Sequence, residues 1–472
     1  MNNNKIIDIN KKTYILIILM LAALIVFSIV VTYIVPNGTF ETYINEFGEE
    51  VFDYSKYIKL PDQNGINIFK GIFSPILVLF SSDGLSLLML SIFILVIAGA
   101  FQIMSDTNGM TSIVCFFIEK FKDKKKLLIS IITLIFMCFG SFFGLFEEVL
   151  TLLPIIVLLT ISLGYDGFTG FLICIVACAF GFASAITNPF TVIAASNIIE
   201  VNPMFNIWFR IGVFFIMYGL VVGFTFLHIR KIEKNPASSP TYETDNKKRE
   251  LLTVTENKVD KKTFRTYAIF LLIALASIIV ITSIEALRGL SVVFLIVVFL
   301  IGGLISGYIA SNDFKFTIKS FGKGVLSALP TILLVLMASS VKYILEEGCV
   351  LATIANSISI FVKDKNPFLM ALMIYLIIIF IEFFISSSTA KAVFVMGILS
   401  IINIELSKEL MVVLYLFGDG YTNILFPTSP VLLIALSMVG MNYFKWINKG
   451  KLLIIINFIL VIGLILLAVL VY

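Results

Sequence analysis

The chain has 472 residues, 59% of them hydrophobic and 14% charged, with a formal net charge of +4. A soluble fold needs a larger charged surface than this. A mean hydropathy of +1.06 puts apolar side chains on the outside as well as the inside, which lipid permits and water does not.

Roughly a dozen apolar stretches approach the ~20 residues needed to cross a ~30 Å hydrocarbon core. A backbone in lipid must satisfy itself, so these read as helices, and the alternation of a membrane barrel is absent. Lys5, Lys11 and Lys12 precede the first run, 14–35, which carries no small-residue cleavage pattern after it. It reads as a membrane helix with its N-terminus inside. The segment 36–67 is acidic and suits the outer face, 68–80 lies at the interface, and 85–104 crosses inward. An amphipathic stretch to 121 leads to Lys120, Lys122, Lys124, Lys125 and Lys126, which belong inside. The run 127–163 is long enough for two short helices, has Gly140 and Gly144 near its middle, and ends on the turn signal Gly164-Tyr165-Asp166-Gly167. It reads as a re-entrant hairpin entered from the cytoplasm. Next, 168–199 crosses outward with a polar centre, and 205–227 returns from an interfacial Trp208. The single histidine, His228, stands at a helix end beside Arg230 and Lys231, where a structural role is expected. The five cysteines lie in apolar surroundings without a CxxC spacing, which indicates neither a disulfide framework nor a zinc site. Cys174 and Cys178 share a helix face, as packing residues.

The stretch 230–265 is polar and contains Pro236, Ser238, Ser239 and Pro240. It reads as a cytoplasmic loop, partly disordered. An extra crossing, 267–284, then brings the chain outside. The runs 291–310 and 325–344 form a pair with Lys315, Lys319 and Lys323 between them on the inside. After an amphipathic 354–362, the stretch 368–404 has the length and broken centre of the first hairpin. The run 410–439 is interrupted by polar residues, and 452–471 closes the chain after Lys445, Trp446, Lys449 and Lys451. Lys363 and Lys365 fall outside, against the positive-inside trend, in the company of Glu346, Glu347, Asp364, Glu405 and Glu409.

The expected fold is therefore an all-α polytopic membrane protein of two inverted repeats, each with a re-entrant hairpin and a broken helix. Residues 1–229 form the first repeat with hairpin 127–163, residues 230–265 the cytoplasmic linker, and residues 266–472 a linking helix plus the second inverted repeat with hairpin 368–404. Such repeats place a site at the midplane between broken elements.

Four segments put polar residues at lipid depth. The first hairpin tip carries Ser141, Glu147 and Glu148. A carboxylate at the bilayer centre costs roughly 2.5–3.5 kcal/mol, so these two are expected to face a wet cavity, a coupling ion, a proton or a substrate amino group; the alternative is one interfacial acid and one paired with a lysine. The second segment is Ser184, Thr187 and Asn188 before Pro189. Proline removes a donor and disfavours helix at the residue before it, so the freed carbonyls and side-chain oxygens suit sodium or a hydrogen-bonded solute; the alternative is an ordinary proline kink. The break recurs at Asp419, Thr422 and Asn423, followed by Pro427, Thr428, Ser429 and Pro430. The fourth segment is Ser386, Ser387, Ser388, Thr389 and Lys391 at the second hairpin tip, where free amides and hydroxyls suit an anion. Lys391 binds a substrate carboxylate, pairs with a buried acid, or snorkels to water.

At these residues the chain resembles the YfcC family of the ion transporter superfamily, grouped with four-carbon dicarboxylate anaerobic carriers. The matching stretches are Thr32-Tyr33-Ile34-Val35-Pro36-Asn37-Gly38-Thr39-Phe40, Gly144-Leu145-Phe146-Glu147-Glu148, Leu163-Gly164-Tyr165-Asp166, Thr187-Asn188-Pro189-Phe190 and Phe417-Gly418-Asp419-Gly420-Tyr421-Thr422-Asn423. The resemblance implies two inverted repeats around a central site, elevator-like movement and, by analogy with the superfamily, a homodimer. It also implies carriage of dicarboxylates or arginine/ornithine exchange. The second hairpin tip departs from the family's Pro-Ser-Gly-Ser-Gly-Gln type of run, so the substrate does not carry over across it.

The expectation is a secondary active transporter of a small polar metabolite in the cell inner membrane. An amino acid, as in arginine/ornithine exchange, or a carboxylate is the expected substrate, with a dicarboxylate carried with sodium or protons as the alternative; a passive channel is the alternative of another class. No enzyme is expected, because no Gly-rich phosphate loop and no soluble catalytic domain appear. No cofactor and no nucleic-acid partner is expected. The expected partners are the solute and the lipid bilayer, with sodium near Asn188 and Asn423 as one option for the coupling ion.

Overall fold

The computed structural model describes residues 11–44, 50–61, 65–121, 124–253, 261–284, 287, 290–362, 365–401 and 406–472. Lys5, Lys122, Lys363, Asp364, Glu405 and the end of the second expected hairpin, 402–404, lie outside the described residues.

Helix α1 (Lys11–Ile34) leads into two strands, β1 (Gly38–Ile44) and β2 (Glu50–Lys59), and two short helices, α2 (Ile68–Ile72) and α3 (Ser74–Leu77). Then come α4 (Gly84–Asp106), α5 (Gly109–Phe121), α6 (Lys125–Cys138) and α7 (Leu153–Ser162). The next crossing is α8 (Gly167–Phe171), continuing through Leu172–Val176 into α9 (Ala177–Ala183), a break, and α10 (Ala194–Ile198) after the turn Pro189–Ile193. Helices α11 (Ile207–Lys234), α12 (Tyr242–Thr253) and α13 (Lys261–Ser283) join the halves. The second half runs α14 (Ser291–Ser311), α15 (Phe314–Glu347), α16 (Leu351–Val362), α17 (Pro367–Glu382), α18 (Ser388–Ile401), α19 (Lys408–Asp419), α20 (Pro430–Val439) and α21 (Tyr443–Val471).

Among the described residues, seven helices are long and apolar enough to cross a membrane. The shorter apolar ones, such as Leu153–Ser162 and Pro430–Val439, have 10–17 residues. At 1.5 Å per residue, a ten-residue helix spans about half of the hydrocarbon core. These short pieces are the arms of the expected hairpins and broken helices. The protein is an all-α polytopic membrane protein, with one small two-stranded sheet as its only described β-structure.

The run 127–163 folds as a hairpin. Lys125, at the head of α6, donates from Nζ to the carbonyl of Leu163, just past α7, at 2.8 Å, so both ends of the hairpin lie at one face. Between the arms, the wide turn Phe139–Phe143 ends on Gly144 at φ +70°, a left-handed conformation that glycine adopts without strain.

Long helices pack on one another, and so do short ones. Helix α4 lies along α15, with α1 on α15 and α14 on α4. Gly324 of α15 sits against the backbone of Ala98 and Gly99 with no room for a Cβ, the close approach that small residues give membrane helices. In the same way α6 packs on α9 and α17 on α19, while α11 packs on α9 and α21 on α19.

Two features differ from the sequence expectation. The acidic outer segment contains an antiparallel β-hairpin, Gly38 opposite Lys59 through Ile44 opposite Glu50, with a bulge at Phe40/Glu41. It is pinned to the second half: Asn37 Nδ2 donates to the Gly348 carbonyl at 2.8 Å, and the Tyr57 and Thr353 hydroxyls are 2.8 Å apart. Its strands mix charged, polar and apolar residues without a long apolar run, so hydropathy does not show them.

The linker is folded over 236–253, while 254–260 lie outside the described residues. Polar contacts hold it instead of an apolar core, so its composition reads as disorder. Asp166 caps α8, accepting from the Thr169 amide at 2.8 Å and from the Ser239 hydroxyl at 2.7 Å. His228 Nε2 lies 2.9 Å from Oδ2 of the same carboxylate, the oxygen that also takes the Ser239 bond, the structural role expected of it. Asp245 on α12 accepts from the Gly167 amide at 2.9 Å and from the Thr241 hydroxyl at 2.6 Å. On the other side Lys248 donates to the Met438 carbonyl at 3.3 Å, near the end of α20. The linker thus ties the start of one broken helix to the end of the other.

Burial of Asp245 pushes its carboxyl up to about 6, against the pull of Thr241, the Gly167 amide and Lys248. A carboxyl raised in the folded state binds its proton more tightly there than when unfolded. The cost of the buried charge is therefore present above pH ~6 and is relieved as pH falls toward the ordinary carboxylate range, by roughly 3 kcal/mol. Asp245→Asn is expected to flatten that dependence. Thermal unfolding of wild type and variant at pH 7.5 and pH 5 in detergent checks it, and equal pH responses of the two proteins would count against it.

Candidate functional site

A cavity of about 510 Å³ opens between the two hairpins and the second break. That is within the ~300–1,000 Å³ of ordinary ligand pockets. One wall is the first hairpin, with Gly144, Phe146, Glu147 and Glu148. The second hairpin tip lines it as well, with Ser386, Ser387, Ser388 and Thr389. Asn423, Thr428 and Ser429 of the second break close it, and Asp83, Ser339 and Lys342 of α4 and α15 stand at its side.

Each wall has a local cause. Leu145 to Glu147 are unwound, and the thiol of Cys178 on α9 donates to the freed Leu145 carbonyl at 3.0 Å. This turns Glu147 and Glu148 inward; Glu148 is only 5% exposed. Facing them are the starts of two half-helices. The Ser429 side chain caps α20, accepting from the Leu432 amide at 3.4 Å with Pro430 as first residue. Ser387 stands in the same place before α18. Helix starts carry partial positive charge and free amides. Thr428 is 4% exposed, and its Oγ1 has no protein partner, although a buried hydroxyl is costly to leave unpaired. The cavity has therefore an anionic wall and a wall suited to anions.

The first break is arranged differently. Ser141 Oγ donates to the Ser184 carbonyl at 2.9 Å and accepts from the Ile186 amide at 3.1 Å. Asn188 Nδ2 donates to the Gly140 carbonyl at 2.9 Å while its Oδ1 accepts from the Phe190 amide at 2.9 Å. Thr187 Oγ1 donates to the Phe142 carbonyl at 3.2 Å. These three side chains lock the hairpin tip to the break, while the Ser184 hydroxyl donates to the Phe180 carbonyl of its own helix at 2.7 Å; Phe182 and Phe190, not they, line the cavity. The breaks meet at Gly420, whose α-carbon lies against the backbone of Ala183 with no space for a side chain.

Lys391 and Asp419 also stand back from the cavity. Lys391 Nζ is ion-paired with Glu382 and lies 2.6 Å from Asp419 Oδ1. All three side chains are at most 1% exposed. Asp419 Oδ2 accepts from the hydroxyl of Ser388 at 3.0 Å, which does line the cavity. Thr422 Oγ1 donates to the Asp419 carbonyl at 2.8 Å, and Asn423 Nδ2 does so at 2.9 Å. Sequence reasoning missed Glu382, Asp83 and Lys342. Glu382 was detectable as a carboxylate at the end of the apolar run 367–381. Lys342 is paired with Asp83 and lies 3.2 Å from Glu346 Oε1; from sequence it reads as one more helix-end charge.

Known proteins resemble this chain over most of its length. YfcC of Escherichia coli (strain K12), whose name proposes basic amino acid antiport, is 28% identical over 397 residues, 79% of this chain and 76% of its own. An uncharacterised Haemophilus influenzae protein is 25% identical over 367 residues, 76% of this chain and 70% of its own. Among solved structures, the YdaH transporter of Alcanivorax borkumensis aligns over 96% of this chain and 97% of its own at 15% identity and a TM-score of 0.44. MtrF of Neisseria gonorrhoeae, titled among antimetabolite efflux pumps, aligns over 96% and 94% at 14% identity and 0.43. The profile of the DcuC family, described as C4-dicarboxylate anaerobic carrier, matches residues 15–470. Spanned almost end to end by that profile, this multi-pass membrane transporter belongs to the C4-dicarboxylate anaerobic carrier (DcuC) family.

Proposed function

We propose that the protein is a secondary active transporter of an amino acid, with a cationic one such as arginine or ornithine as the leading substrate. The observation that carries this is the cavity's two-sided chemistry: Glu147 and Glu148 on one wall, and hydroxyls with two half-helix starts on the other. An α-carboxylate suits the starts of α18 and α20, and an amino or guanidinium group suits the acids. The name of the Escherichia coli relative points the same way. The matched packing of α1 and α4 with α14 and α15, and of α6–α11 with α17–α21, supports two inverted repeats. It also supports an elevator-type movement of the hairpins and broken helices against the long helices. Basic residues around the linker support a cytoplasmic position for that face in an inner membrane, and a homodimer accords with such movement. A four-carbon dicarboxylate, carried with sodium or protons, is the second reading, favoured by the two helix starts that face the cavity.

Thermal-shift titration with L-arginine, L-ornithine and succinate separates the two. Arginine or ornithine is expected to raise the unfolding temperature of the wild type. That shift is expected to fall in Glu148→Gln and in Thr428→Val, the latter without loss of basal stability, because its hydroxyl has no protein partner to lose. A shift with succinate alone would decide for the dicarboxylate. A conductance in proteoliposomes insensitive to any imposed gradient would decide for a channel.

A further inference from the structure

We propose that Glu382, Lys391 and Asp419 form a proton-binding site, loaded from the cavity through Ser388, at which proton movement is coupled to transport. The coupling half of this rests on the transporter reading above; the binding half does not. Two carboxylates face one ammonium, all at most 1% exposed, so the group carries a net charge of one negative unit when every member is ionised. A buried charge left uncompensated is strongly unfavourable.

Among the described residues, the elements packed on the cluster supply no second cation. Residues Pro189–Ile193, α10 and α16, which pack on α17, α18 or α19, carry no ionisable side chain. Helix α9 carries Cys178, and the phenols of Tyr375, Tyr415 and Tyr421 lie on α17, α19 and the turn after it. Lys408 and Glu409 are at the far start of α19, and Lys445, Lys449 and Lys451 are in the first turns of α21. The β-hairpin, which carries Glu41, Tyr43, Glu50, Asp53, Tyr54, Lys56, Tyr57 and Lys59, meets α18 at Phe394 and Ile398, past Lys391. The nearest cavity acids, Glu147 and Glu148, only add negative charge.

The missing positive charge is therefore a mobile one. An alkali cation would have to take the space between the carboxylates that the ammonium already fills, whereas a proton needs no space. Ser388 gives it a route: its hydroxyl donates to Asp419 Oδ2 at 3.0 Å and faces the cavity. The hydroxyl passes its proton to Asp419 and takes one from cavity water; the reverse transfer unloads the site. Loaded, the cluster is neutral and one carboxyl is protonated. Unloaded, it carries its negative charge and favours a conformation or a substrate that compensates it.

Infrared titration of the purified protein in nanodiscs between about pH 5 and pH 9 tests the binding half without any substrate. On a common Asp245→Asn background, which removes the linker carboxyl pushed up to about 6, the otherwise wild-type protein is expected to show a protonated-carboxyl component that titrates. Glu382→Gln and Asp419→Asn are each expected to lose it, because each leaves one acid for one lysine. Absence of the band in the background protein, or its persistence unchanged in both variants, overturns the site. Should neither variant give monodisperse, cooperatively unfolding protein, the background protein's band and its shift in Ser388→Ala decide: the titration is expected to move in that variant, and a superimposable one overturns the route. L-arginine uptake into proteoliposomes tests coupling, with wild-type uptake expected to respond to an imposed pH gradient and Glu382→Gln expected to lose that response. Wild-type uptake indifferent to the gradient overturns coupling. No uptake under any gradient, with the band still lost in the variants, refutes the transporter reading and leaves the proton site standing.

Discussion

Lys391→Met is expected to cost about 3–5 kcal/mol, the range for breaking a buried ion pair by removing one partner. The loss is not mainly one of attraction. Methionine fills much of the space of a lysine stem, so packing changes little, but Glu382 and Asp419 are then left facing each other without a cation. Two like carboxylates in a dry site cannot both stay ionised. Since folded proteins are stable by only about 5–15 kcal/mol, the variant should show little folded protein by size-exclusion chromatography and a strongly lowered unfolding temperature. The combined variant Lys391→Met, Glu382→Gln, Asp419→Asn removes all three charges and is expected to recover much of the fold. A single Lys391→Met protein as stable as wild type would show that the three groups do not act as one.

Gly420→Ala should be the other severe substitution. The added carbon meets the backbone nitrogen and α-carbon of Ala183, and a backbone cannot rotate aside as a side chain can. Overpacking typically costs about 1–3 kcal/mol, occasionally more. Here the added strain falls where α19 crosses the end of α9, so the breaks must move apart. The expected result is loss of substrate-dependent stabilisation and transport, with a lowered unfolding temperature. Gly463→Ala on α21, where an added carbon meets nothing within 4 Å, is the matched control and should unfold at or slightly above the wild-type temperature, alanine being the better helix former. Equal behaviour of the two variants would mean that the crossing tolerates separation.

Much of the fold is legible in the sequence because lipid imposes strict lengths. The hairpin 127–163 declares itself by being too long for one crossing and by Gly140 and Gly144 at its centre. Pro189 and Pro430 mark the breaks, each as the first residue of a new helical segment. Polar residues at lipid depth show that something must satisfy them, but not what does. Asn188, Thr187, Ser184 and Ser141 look like ligands for a guest, and in the folded chain their side chains are spent on backbone carbonyls of the hairpin tip and the break. Lys391 looks able to reach a substrate and instead pairs with Glu382, nine positions earlier across the hairpin turn. That pairing follows from how α17 and α18 dock, which no local pattern encodes. The linker is misread for a related reason. Hydropathy registers apolar burial, and α12 is held by carboxylates on amide groups.

The tie made by α12 bears on which surfaces are free to slip. Because Asp245 grips the head of one interrupted helix and Lys248 the tail of the other, those two helices cannot open like a pair of doors on that side. Under the transporter reading they travel as a single block. On that reading the seam that yields is the greasy contact of α20 with α15, where a displacement breaks few directional bonds.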